Sequence, residues 1–182
     1  FHGIERQPLP TKSWGIFSHR VSQGHPLVRS IDSCFDVPHS RWNEITSAQM
    51  TNMGLRVLVE SDDAGVHLAT SADGFRFVFF QGHPEYDYNS LLKEYKREVN
   101  RYLSGEIDDY PLYPDNYFSG KDRRLLDAYA EVVKSQRTRQ ATLVPGEFPE
   151  NDLRVGNTWC DAGRMVFNNW LGAVCRITDH DR

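Results

Sequence analysis

Apolar residues come in short runs in the first half of the chain and at helical spacing in the second. Leu55-Arg56-Val57-Leu58-Val59-Glu60, Val66-His67-Leu68-Ala69-Thr70 and Phe75-Arg76-Phe77-Val78-Phe79-Phe80 are brief runs rich in β-branched and aromatic side chains, the pattern of strands. Ser71-Ala72-Asp73-Gly74 joins the last two, and an Asp-Gly pair between such runs predicts a hairpin. Trp14-Gly15-Ile16-Phe17 and Cys34-Phe35-Asp36-Val37 read as further short strands. Pro8-Leu9-Pro10-Thr11-Lys12 reads as a loop, because two prolines interrupt it, and His25-Pro26-Leu27-Val28 as a turn opening a short helix. From Asn89 to Leu103, Leu91, Leu92, Tyr95, Val99, Tyr102 and Leu103 recur on one helical face, and Gly105 follows as a stop. A polar helix is predicted over 122–137, a linker-like stretch over 145–157, and a last helix from Gly163 to Cys175. Between these helices Tyr110 to Phe118 is an aromatic loop broken by prolines.

Strands ahead of helices, in 182 residues, fit one α/β domain with a real core. The net charge of −4 excludes a basic surface for nucleic acid. There is no run of 18 apolar residues, so no membrane helix is expected. The three cysteines, Cys34, Cys160 and Cys175, have no regular spacing and predict neither a disulfide framework nor a zinc site. Free thiols suit a reducing, cytoplasmic location. All three read as structural, since none lies on a glycine-flanked strand-to-helix turn of the kind that exposes a nucleophile.

The candidate chemistry centres on His83-Pro84-Glu85, where the last apolar run stops at Gly82. A histidine and a carboxylate two positions apart share one side of an extended segment, so Glu85 can fix the tautomer of His83 and raise its basicity. That is two thirds of a nucleophile–base–orienter triad, set at the carboxyl end of a strand expected to be buried. Pro38-His39-Ser40-Arg41, after a short strand, can line a polar pocket or be an ordinary turn. Arg97 can grip a carboxylate through two parallel hydrogen bonds, but Lys93, Lys96 and Arg101 share its helix and composition does not choose among them. Lys12 stands at a loop–strand junction, where solvent exposure is the plain reading.

In order along the chain, several segments resemble the homoserine O-succinyltransferase/O-acetyltransferase family of methionine biosynthesis. They are Pro8 to Lys12 with Gly15-Ile16-Phe17-Ser18-His19, Pro38-His39-Ser40-Arg41, Glu60 to Val66, Gly82-His83-Pro84-Glu85-Tyr86-Asp87, Glu94-Tyr95-Lys96-Arg97, Asn116-Tyr117-Phe118 and Phe167-Asn168-Asn169-Trp170-Leu171. The resemblance implies a class I glutamine amidotransferase-like (flavodoxin-like) open α/β sheet with flanking helices. It implies transfer of an acetyl or succinyl group from acyl-CoA, through a cysteine thioester, to the hydroxyl of homoserine. His83 and Glu85 match the family's catalytic histidine and glutamate, and Lys12, Ser40 and Arg97 its substrate-binding lysine, serine and arginine. No bound cofactor is implied, only acetyl-CoA or succinyl-CoA as co-substrate, and a homodimer is expected.

The family's nucleophilic cysteine falls before Phe1, so the chain is expected to be the C-terminal portion of a larger enzyme that needs its N-terminal half. Residues 1–120 and 159–182 are expected to belong to the amidotransferase-like domain, with 121–158 a divergent helical insertion and linker. Trp159-Cys160-Asp161-Ala162 departs from the family's usual Trp-Arg-Ser-His. Two other readings stay open: a glutaminase, since His-Pro-Glu also closes the triad of class I glutamine amidotransferases, and a non-catalytic or partner-dependent chain.

Overall fold

The computed structural model describes residues 3–137 and 148–178. It is mixed α/β, and the chain divides into two compact units, one formed by 1–85 with 158–182 and the other by 86–157.

The first unit is built on a five-stranded sheet in the order β2-β1-β3-β4-β5, with every neighbouring pair antiparallel. Its strands are β1 (Gln7–Val21), β2 (Cys34–Glu44), β3 (Arg56–Ser61), β4 (Gly65–Thr70) and β5 (Val78–Phe80). The segment read as a proline-broken loop, 8–12, belongs to β1. The prolines register instead as an irregularity, since the pairing with β2 slips between Pro8 and Ser13. Pro38-His39-Ser40-Arg41 lies inside β2 rather than after a short strand. Pro38 is tolerated there because its carbonyl points away from β1, accepting from His83 N at 2.8 Å. In a strand the nitrogen of a residue points the same way as its carbonyl, so no ladder bond to β1 is lost.

The Asp-Gly hairpin forms, but β5 starts at Val78, not Phe75. Asp73 Oδ1 accepts from Phe75 N, Arg76 N and Ser71 Oγ, and Ser71 Oγ accepts from Phe77 N, so side chains satisfy the backbone of 75–77 in place of β4. β5 is half-buried at the edge of the sheet, contrary to the buried strand expected before His83. β3 and β4 are buried on both faces. Leu58, Val59 and Leu68 join Leu27, Val28 and Val166 in one cluster, and Val57, Val66 and Ala69 join Met50 and Leu55 in another.

A short helix, α1 (Ser47–Asn52), was not expected from the apolar pattern. Its start is a capping box in which Thr46 Oγ1 accepts from Gln49 N and the Gln49 side chain accepts from Thr46 N. Pro26–Val28 form the expected short helix, as a 3-10 turn. The last helix, which we number α4 (Cys160–Thr178), extends three residues beyond its predicted span at each end. Asn169 fastens it to the 3-10 turn by donating to Leu27 O and Arg29 O at 3.0 and 2.8 Å.

The second unit holds α2 (Ser90–Leu103) and α3 (Gly120–Arg137). The helical face predicted for α2 is the buried one, with Leu91, Leu92, Tyr95 and Val99 inside. The helix ends in a Schellman motif, in which Glu106 N and Gly105 N donate to Arg101 O and Tyr102 O, and Gly105 takes the left-handed φ of 79° this requires. Tyr95 is the hub of an aromatic core, its ring 5.3 to 6.3 Å from those of Tyr113, Phe118 and Phe148. α3 opens with a reciprocal cap between Ser119 and Asp122, and Asp122 also accepts from Arg154 N. Of the stretch read as linker, 145–147 lie outside the described residues, and Glu150–Asp152 form a 3-10 turn.

Candidate active site

The segment after β5 is fixed to the sheet on two sides. Gln81 N donates to His67 O of β4 at 2.9 Å. The Gln81 side chain accepts from Ile45 N and donates to Ile45 O and Val66 O, between 2.7 and 3.0 Å. Two residues on, His83 N reaches Pro38 O of β2, the opposite edge strand. Residues 81–83 therefore bridge the sheet's two edges, which requires the sheet to curl. Pro84 then packs beside Trp159, just before α4, and Gly163 of its first turn, over a small cavity also lined by Val37 and His67.

His83 and Glu85 meet at this seam. His83 stands just before a turn at Pro84–Glu85, and Glu85 lies within it, in place of the extended segment expected. The His83 Nδ1–H donates to Glu85 Oε1 at 2.8 Å. In the neutral ring this leaves the lone pair on Nε2, the tautomer a general base needs. The His83 side chain is 32% exposed and that of Glu85 67%, so the pair is open to a partner molecule.

Behind it lies a histidine cluster that the sequence pattern did not single out. His39 alternates away from Ser40 and faces inward with His19 and His67, all three within 1% of complete burial. Arg41 Nε donates to His39 Nδ1 at 3.2 Å. Arginine cannot accept, so the His39 proton sits on Nε2 and is donated to His19 Nε2 at 3.1 Å; His19 Nδ1–H then donates to Phe17 O at 2.9 Å. The Arg41 guanidinium is anchored in turn on Asn43 O and Ala64 O. Burial, reinforced by the neighbouring His19, His67, Arg41 and His83, pushes the His39 pKa down to about 2. Burial, with His19 and His83 nearby, pushes His67 down to about 3. Burial also lowers His19, against the opposing effect of its bond to Phe17 O. The signal for this cluster was the placing of histidines on the inward positions of β1, β2 and β4, which is legible only once the strands are paired.

The remaining candidates fall into two places. Lys12 Nζ lies 4.1 Å above the Trp14 ring, and Ser40 is directly opposite Trp14 in the β1–β2 ladder. The fold thus brings Lys12 and Ser40 to the same aromatic side chain, on the face of the ladder opposite His39. Arg97 is on α2, in the other unit, exposed and 3.4 Å from Glu98 Oε1. Two of the cysteines read as structural, Cys34 and Cys175, are exposed and do not contribute to a core, while Cys160 is half-buried at the start of α4. Among the described residues no group of three or more His, Cys, Asp or Glu is arranged to hold a metal, and no helix is long and apolar enough to cross a membrane.

The sequence pattern of homoserine O-succinyltransferases matches residues 1–180. The chain belongs to the homoserine O-succinyltransferase family. Homoserine O-succinyltransferases of Allochromatium vinosum and Methylococcus capsulatus are each 53% identical to it over 184 aligned residues, covering 100% of this chain and 51% of the relative. That of Methylobacter tundripaludum is 52% identical with the same coverage. The chain thus spans about half the length of the curated homoserine O-succinyltransferases it matches, and the match runs through residues 121–158. A GMP synthase protein of Thermoplasma acidophilum aligns over 47% of this chain and 41% of its own, at a TM-score of 0.40 and 15% identity, a likeness too partial to bear on function.

Proposed function

We propose that the protein carrying this chain transfers an acyl group, succinyl in preference to acetyl, from acyl-CoA to the hydroxyl of homoserine, with His83 as general base and acid. The observation that carries this reading is the His83 Nδ1–Glu85 hydrogen bond in a chain of this family. It leaves Nε2 to take and return a proton while Glu85 stabilises the imidazolium. The family's names favour succinyl as the donor.

In the first half-reaction His83 Nε2 takes the proton of a cysteine thiol contributed from outside these residues. The thiolate attacks the thioester carbonyl of succinyl-CoA, and the CoA thiolate leaves with the proton from His83. In the second, His83 takes the proton of the homoserine hydroxyl, whose oxygen attacks the enzyme thioester. The cysteine thiolate leaves and recovers that proton, and O-succinyl-homoserine is released. Arg97 binds the homoserine carboxylate in this scheme, and Lys12 and Ser40 bind substrate.

The test is to incubate the whole protein with homoserine and either succinyl-CoA or acetyl-CoA. CoA thiol release and the mass of the product are followed, with glutamine hydrolysis as a separate arm. O-succinyl-homoserine formed faster than the acetyl ester is the expected result. Ammonia release from glutamine without acyl transfer would overturn the reading.

A further inference from the structure

We propose that His39 and His67 are positioning residues for His83, forming the floor on which the Gly82 backbone seats the base. The inference rests on the reading of His83 as the base and adds what places it.

Gly82 immediately precedes His83 and sits in contact with both rings. A Cβ at this position would lie 2.5 Å from Val37 Cγ1, 2.8 Å from His39 Nε2 and 2.8 Å from His67 Nδ1. Contacts that short do not occur, so only glycine lets the chain come this close. The bonds of Gln81 to Ile45, Val66 and His67, and of His83 N to Pro38 O, prevent the segment from lifting off. The height of His83 above the sheet is therefore set by the two imidazoles and the Val37 side chain beneath its neighbour.

The floor is rigid for a chemical reason. His39 is bonded at both ring nitrogens, to Arg41 Nε and His19 Nε2, and the chain ends on Phe17 O, so its ring plane cannot turn without breaking a buried bond. A leucine or phenylalanine could fill the same volume but would have no fixed direction. Among the described residues His67 Nδ1 is buried with no hydrogen-bond partner. Such an atom is unfavourable for folding, and an apolar side chain of similar size would avoid that cost. Its place directly under Gly82 points to a role other than stability. The charged and titratable groups facing the floor are His19 from β1, Arg41 from β2 and His83 from the seam. A proton on either floor ring would put a cation under the base, and their low pKa values keep the floor neutral at pH 7.

The test uses the whole protein with four variants, Gly82→Ala, Gly82→Ala/Val37→Ala, His67→Leu and His83→Ala. Each is measured for kcat, for KM of the acyl donor, for Tm and for the titration of the His83 ring by NMR. A displacement of the base on the order of 1 Å should lower kcat of Gly82→Ala by about 10²-fold with little change in KM. The His83 titration should move as its distance to Glu85 changes. Removing the nearest obstacle in Gly82→Ala/Val37→Ala should recover part of kcat. His67→Leu should keep or raise Tm, yet lower kcat and shift the His83 titration, and it serves as the test if Gly82→Ala does not fold. The proposal falls if Gly82→Ala and His67→Leu leave the His83 titration in place, with kcat unchanged or falling only as Tm falls. If His83→Ala itself turns over normally, the reading of the base fails. The NMR titration of His83 in the other variants then still decides whether the floor positions it.

Discussion

Each of the two units holds a buried cluster of rings, and the two clusters are joined in different ways. Around Tyr95 the rings of Tyr113, Phe118 and Phe148 pack by edge and tilt, and its hydroxyl donates to Tyr110 at a long 3.4 Å. Around His39 the rings are linked nitrogen to nitrogen, from Arg41 through His39 and His19 to Phe17 O. The aromatic core gains its stability from area and tolerates small slides. The histidine core gains less from area and depends on each proton being in place. It holds the backbone at Gly82, next to the candidate base, to one position. Precision near the chemistry is obtained from a core that acid and ring substitution can break, and the comparison is tested by applying both.

Acid should separate the two units most. His39 and His67 are pushed down to about 2 and about 3 in the fold, so below the ordinary histidine value of 6.5 the unfolded chain binds protons that the folded one refuses. Stability of the sheet unit therefore rises with pH up to about 6.5 and is flat above it on this account. Each pH unit below costs about 1.4 kcal/mol per histidine, and His19 acts in the same direction. In the helical unit burial pushes the Asp122 carboxyl up. Its bonds from Ser119 and Arg154 N outweigh that and hold it below the usual carboxylate range. Its contribution is lost only below the ordinary carboxylate value of 3.8, so it is intact between pH 6.5 and 4.5, where the histidines already act. The chain's four tryptophans, Trp14, Trp42, Trp159 and Trp170, all lie in the sheet unit. Tryptophan fluorescence in urea should thus show a midpoint that falls steadily from pH 6.5 to 4.5, while amide protection in α2 and α3, taken relative to the intrinsic exchange rate at each pH, changes little. A midpoint independent of pH across that range would show that the imidazoles are not neutral in the fold.

Truncating the aromatic hub is the next largest effect. Tyr95 is fully buried, and Tyr95→Ala should destabilise the helical unit by about 3–5 kcal/mol, as for other large buried aromatics. Faster amide exchange in α2 and α3 would register it, and unchanged exchange would remove Tyr95 from the centre of that core. Ring-for-ring exchange sharpens the contrast. Tyr95→Phe keeps the ring and gives up the hydroxyl's bonds with Tyr110 and Tyr113, and should cost about 1–2 kcal/mol. His39→Phe keeps a ring but strands Arg41 Nε and His19 Nε2, each an unpaired buried group worth about 1–3 kcal/mol. Equal costs for the two exchanges in urea unfolding would mean that direction adds nothing to the histidine core.

The same contrast explains what could be read from the sequence. α2 was legible because its apolar residues recur at helical spacing, a pattern that lies within the helix whatever packs against it. The pairing of His83 with Glu85 was legible because it spans two positions and one turn. What could not be read depends on partners far along the chain. His39 is an inward residue only because β2 pairs with β1 in a register that sets Gly15 opposite it, and the proline beside it argued for a turn. Gly82 read as the end of a strand, and its contact with His39 and His67 exists only in the curled sheet. The prolines at 8 and 10 were overridden by pairing with β2, which accommodated them as a slip in register. α1 carried its signal in two capping residues, too short a pattern to stand out beside apolar periodicity.

Arg97 offers the smallest structural effect and the most selective functional one. Its side chain is 62% exposed and its ion-pair contact to Glu98 is long, at 3.4 Å, so nothing in the fold of the helical unit depends on it. Arg97→Lys should change stability by less than about 0.5 kcal/mol. If the guanidinium grips the acceptor carboxylate, lysine keeps the charge and loses the two-pronged geometry, so KM for homoserine in the whole protein should rise about tenfold. The enzyme thioester should still form from succinyl-CoA at its normal rate, because that half-reaction does not use the acceptor. An acceptor whose carboxylate is esterified never makes the contact and should respond equally to the variant and the parent. Rapid-quench measurement of thioester formation, and of its decay with each acceptor, separates these cases. Slower thioester formation with unchanged transfer to homoserine would move Arg97 to the donor side. The helical unit would then contribute to binding acyl-CoA rather than to choosing the acceptor.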